Sequence, residues 1–89
     1  MQEITNADRA RWALAALTGF VAATRVDTAR DAIADLIVNL LHLARGRGLD
    51  MELLFAQTAR AMAEEQAEDE EGDMASVIAR FYELLPDDR

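Results

Sequence analysis

The sequence predicts an all-α domain, a three- to four-helix bundle built on an antiparallel central hairpin. Three observations carry this. Residues 31–44, DAIADLIVNLLHLA, place Ile33, Leu36, Ile37, Leu40, Leu41 and Ala44 at spacings i, i+3, i+4, i+7, i+8 and i+11, one apolar stripe on a helix. Helix-capping residues stand ahead of each periodic run: Thr5, Thr28, Asp50 and Asp73. Gly46, Gly48, Gly72 and Pro86 fall at the breaks between runs or after the last one.

The first helix is expected over about 7–23. Thr5 or Asn6 caps it, and Thr5 with Asp8 has capping-box spacing with Asp in place of Glu. Ala10, Ala13, Leu14, Leu17, Phe20 and Val21 form its inner stripe, and Trp12 lies off the centre of that stripe. Gly19 in mid-helix costs about 1 kcal/mol against Ala, which a close helix crossing would explain. The second helix, about 29–45, is capped by Asp27 or Thr28 and stops at Arg45-Gly46-Arg47-Gly48. There glycine permits a left-handed turn and the arginines suit the negative helix end.

Asp50 caps the third helix, about 51–68, whose stripe is Met51, Leu54, Phe55, Thr58 and Met62. The short connection predicts that helices two and three fold back as a hairpin, with Asp31 level with Glu64 and Asp35 level with Arg60. Residues 64–73, EEQAEDEEGD, hold seven acids, and like charges at this density favour a solvated break. Beyond it, about 74–85, Met74, Val77, Ile78, Phe81 and Leu85 make a fourth stripe that ends at Pro86. The single domain, 1–89, thus ends in an acidic segment leading to a helix that packs either within the chain or across to a second copy. Trp12, Val77, Ile78, Phe81 and Leu85 are the candidate interface residues.

At 89 residues the chain is one domain that should bury roughly 60–65% of its unfolded surface, a modest stability that a homodimer would raise. Without cysteine it has no disulfide framework and no thiolate metal site, which fits a cytoplasmic protein. The longest uncharged run, residues 12–24, is too short and too polar to span a bilayer, and MQEITNADRA is not the basic start of a signal peptide. Residues 1–63 hold seven acidic and seven basic side chains. Residues 64–89 hold ten acids against Arg80 and Arg89, and so carry the whole net charge of −8. Nothing resembles the basic stripe that nucleic-acid binding needs, whereas a basic protein partner would suit the acidic third.

Two polar groupings are candidates for chemistry. Asp31, Asp35, Asn39 and His42 run along the side of helix two opposite its stripe, and Glu64, Glu65 and Glu68 have EExxE spacing on helix three. In the hairpin register Asp31, Asp35, Glu64, Glu65 and Glu68 lie at one end. Carboxylates drawn from two helices are what an all-α Mg²⁺ site requires. A solvated face and a solvated helix end account for the same residues without a metal. No glycine-rich phosphate loop and no serine or cysteine triad is present, so no catalytic residue or bound cofactor is expected outside the Mg²⁺ reading.

Two resemblances attach to these segments. NADRARWA at 6–13 followed by DAIADLIVNLLHLARGRGLD is similar to small uncharacterised helical proteins of bacteria, phages and plasmids that carry N-A-D-R-A and D-L-x-x-x-L-x-H segments. That resemblance covers about 60 residues and implies a phage-related kind of protein, with no activity attached. DAIADLIVNLLHLARGRGLDMELLFAQTA resembles the second half of MazG-type all-α nucleotide pyrophosphohydrolases, with Asp35 at the position of the motif aspartate. Ala32 stands where that motif has glutamate, and EEQAE at 64–68 follows the helix that it precedes in the family. The sequence therefore points first to an acidic helical module that self-associates or binds a protein. The alternative is a degenerate, MazG-like Mg²⁺-dependent pyrophosphohydrolase.

Overall fold

The computed structural model describes residues 3–67 and 73–86. Four helices follow in order: α1 (Asn6–Thr24), α2 (Ala29–Gly46), α3 (Met51–Gln66) and α4 (Met74–Leu84), with no strand among the described residues. The expected all-α fold is therefore the observed one. No helix among the described residues is long and apolar enough to cross a membrane.

Every helix starts where a short polar side chain can take up a free backbone N–H. Thr5 and Asp8 form a reciprocal box: Thr5 Oγ1 accepts from the Asp8 N–H at 3.1 Å, and Asp8 Oδ2 accepts from the Thr5 N–H at 3.1 Å. Thr28, Asp50 and Asp73 accept in the same way from the N–H groups of Asp31, Leu53 and Ser76. The Asp8 carboxyl is held below its ordinary value of 3.8, first by the Thr5 N–H and then by the hydrogen bond from Arg11 at 2.8 Å. Asp73 is lowered too, mainly by its hydrogen bonds from Ser76, with a smaller pull from Arg11.

The stops are equally local. After α2, the Leu49 N–H donates to the Ala44 carbonyl at 3.1 Å and the Gly48 N–H to the Arg45 carbonyl at 3.0 Å, with Gly48 at φ 78°. That pair of bonds is a Schellman ending, and its left-handed residue is best served by glycine. Helix α1 ends on Arg25 at φ 62°, a non-glycine residue doing the same task, with its N–H donated to the Val21 carbonyl at 2.7 Å.

The buried core lies between α1, the first turns of α2, and α4. Leu17 packs with Ala29, Ala32 and Leu85, while Ala7 and Leu14 pack with Val77, and Phe81 and Leu84 border both groups. Helix α4 therefore packs within the chain, on α1. Of the five candidate interface residues, Val77 and Leu85 are buried inside the chain and Phe81 is half-buried. Trp12 and Ile78 remain exposed, at 58% and 39%.

Helix α2 differs from expectation. Its contact face is Ala29, Ala32 and Leu36, roughly 70° around the helix from the Ile33–Ile37–Leu40 stripe. The physical reason is size: two alanines let α2 come close to Leu17, and the larger side chains are then swung aside. Of the expected seam only Ala44 is buried and Leu36 and Leu41 are half-buried, while Ile33, Ile37 and Leu40 are 43%, 52% and 54% exposed. Among the described residues Gly19 has nothing within 4 Å of where a Cβ would sit, so no close crossing there explains it.

Helices α2 and α3 meet at the Arg47–Asp50 turn, but the arms of this hairpin splay apart. Asn6 Nδ2 donates to the Glu65 carbonyl at 2.8 Å, and Arg9 Nε lies 3.7 Å from the Glu65 carboxylate, so the far end of α3 is held at the start of α1. The start of α2 is packed instead against Leu17. Eleven residues, about 16 Å of α1, separate Asn6 from Leu17. Helices α1, α2 and α3 thus form a three-cornered frame, with α4 laid across α1. The radius of gyration is 14.5 Å, where about 12 Å is usual for a chain of this length.

Candidate functional site

The frame leaves a groove between α1, α2 and α4. Ala10, Ala13, Leu14 and Leu17 form its α1 wall. Ile33, Leu36, Ile37 and Leu40 form its α2 wall, and Val77, Ile78 and Phe81 close its base. Its volume is about 380 Å³, and every one of these side chains is apolar. The exposed Ile33, Ile37 and Leu40 make the α2 wall wet, so the stripe read in the sequence is present and its cover is missing.

Apolar exposure continues beyond the groove. Val38 and Leu43 on α2, and Leu53, Phe55 and Met62 on α3, are each about half exposed or more. Helix α3 buries no residue at all. A shallow concavity along it is lined by Leu54, Gln57, Thr58, Ala61, Met62 and Glu65, all from α3 itself. At about 25 cal/mol per Å², leaving such side chains in water forgoes roughly 1 kcal/mol or more apiece. The apolar groove walls left in water mark an interaction surface.

The carboxylates proposed from the sequence are placed differently. Asp31 and Asp35 are exposed on the first turns of α2, beside the α1–α2 corner. Glu64 and Glu65 lie at the far end of α3, where Glu65 faces Asn6 and Arg9. The splay of the hairpin thus separates the two groups by a large part of α1, and Glu68 lies outside the described residues. Among the described residues no three His, Cys, Asp or Glu side chains gather as a metal site would require. No ion pair joins Asp35 to Arg60 there, and Asn39 and His42 are exposed.

Sequence reasoning missed the Asn6–Glu65 latch, which ties residues 59 positions apart. Its one local trace is that Asn6 is already engaged in holding Arg9, whose Nη1 donates to Asn6 Oδ1 at 2.6 Å. The groove itself contains no titratable side chain, so it offers no acid, base or nucleophile. It offers volume and apolar area. The chain matches no protein-family model, no curated protein and no solved structure.

Proposed function

We propose that this protein is a helical interaction module whose working unit is a homodimer, with the α1–α2–α4 groove as its interface. The observation that supports this is the uncovered α2 wall: Ile33, Ile37 and Leu40 are 43%, 52% and 54% exposed along a groove whose lining is apolar throughout.

The chemistry of the patch selects the class of occupant. A groove of 380 Å³ is large enough for a small ligand, but it has no polar group to orient one. A small molecule would also leave Phe55 and Met62 on α3 in water, whereas a folded partner has apolar area to set against both the groove and α3. The charge balance permits a second copy: residues 1–63, which hold most of the apolar surface, sum to zero, and the net −8 sits in residues 64–89.

Sedimentation equilibrium of the full chain tests this reading. The expected mass is twice 9.8 kDa, and Ile37→Asp should raise the dimer dissociation constant ~30-fold or more. Ile37 is half exposed in the single chain, so the same variant should keep its helical circular dichroism. A wild-type chain that remains at the monomer mass well above micromolar concentration overturns the reading.

A further inference from the structure

We infer that the groove of one copy receives α3 of the other, twice over around a twofold axis, with Phe55 and Met62 as the inserted side chains. This rests on the homodimer reading and specifies which surfaces meet. Four observations lead to it.

First, α3 is the helix whose needs the single chain leaves unmet. Helices α1, α2 and α4 each bury residues, and α3 buries none. Most helical stability comes from packing an apolar face rather than from propensity, and α3, with Phe55 and Met62 uncovered, gains from a surface to lie against.

Second, α3 has the right face. Met51, Leu54, Phe55, Thr58 and Met62 fall on one side, and the lone hydroxyl among them is tied back, with Thr58 Oγ1 donating to the Leu54 carbonyl at 2.9 Å. The side is therefore apolar from Met51 to Met62, one turn short of Glu65, and Phe55 and Met62 on it are exposed at 53% and 55%.

Third, the spacings agree. Phe55 and Met62 are seven residues apart, about 10.5 Å along the axis, as are Ile33 and Leu40 on the groove wall.

Fourth, α3 cannot reach the groove of its own chain. It is tethered at one end by the Gly48 turn and at the other by the Asn6–Glu65 bond, and none of its residues lines the groove. An exchange of α3 for groove satisfies both deficits in both copies and closes at two subunits, as a twofold interface must.

The chain has no cysteine, which makes placed thiols unambiguous. Ile37→Cys and Met62→Cys, one of them affinity-tagged, are mixed in equal amounts, allowed to exchange subunits and treated with a short bifunctional maleimide. The mixed 37–62 product is expected to exceed either like-with-like product several-fold. Separately, Met62→Lys is expected to raise the dimer dissociation constant ~30-fold with helicity unchanged. A dimeric chain that cross-links like with like, or fails to cross-link at these positions, overturns the placement of α3 and leaves the dimer intact. So does a Met62→Lys chain that dimerises as tightly as wild type. A wild-type chain of monomer mass overturns both readings.

Discussion

The α1–α4 seam and the α2–α3 corner are built from the same kind of apolar stripe and end in opposite states. At the seam, Leu14, Leu17, Val77 and Leu85 are buried to 8% exposure or less. At the corner, Ile37, Leu40, Phe55 and Met62 stay above 50%. An amphipathic stripe states that a face will be covered. It does not state by what, and a chain of 89 residues with four short helices has too few faces to cover them all internally.

The largest expected effect breaks the seam. Leu17→Ala removes a 5%-exposed side chain shared by α1, α2 and α4 and should cost about 2–5 kcal/mol in chemical denaturation. An equal truncation at the corner, Ile37→Ala, should cost well under half of that in a dilute monomeric sample. Its penalty should grow with protein concentration, because the loss then falls on the assembly. Equal, concentration-independent losses at the two sites would erase the distinction between seam and corner.

A smaller effect of opposite sign is expected at Gly19, where a methyl group meets open space. Gly19→Ala should stabilise the chain by about 1 kcal/mol through helix propensity alone. A loss of dimer in that variant would place a partner on the outer side of α1 and move the interface away from the corner.

The smallest effect is with pH. Asp8 and Asp73 have folded-state values below the ordinary 3.8, so their capping contribution is fully present above that value. It is lost as pH falls through the lowered folded values. Acid titration followed by helical circular dichroism should show fraying of α1 and α4 in that window. Asp8→Asn should flatten the part of the response that belongs to α1.

The local half of this architecture was legible in the sequence. Thr5, Thr28, Asp50 and Asp73 each announce a helix by a side chain that reaches three residues ahead, and Gly48 announces a stop by the conformation that it alone takes cheaply. The Val77–Phe81–Leu85 spacing likewise declared the packed side of α4. What periodicity could not declare was which side of α2 would touch α1. Ala29 and Ala32 carry less hydrophobicity than Ile33 and Ile37, yet the small pair permits the close approach and takes the contact. Nor could it place the acids. Asp31 and Glu64 come level only if the hairpin closes, and here it is open, with the far end of α3 bonded to Asn6 by a contact that no local pattern encodes. The expected interface set divided for the same reason: Val77 and Leu85 found neighbours at home, and Ile78 stayed exposed in the lining of the groove.

No polar or charged side chain is buried among the described residues, and the groove walls are hydrocarbon throughout. Assemblies that must reject near-cognate partners usually hide an asparagine or an ion pair in the joint, where a mismatch strands it without hydration. A joint of hydrocarbon alone carries no such key. In the proposed dimer it would grip by bulk, tolerate exchanges of one aliphatic residue for another of similar size, and leave discrimination between partners to contour.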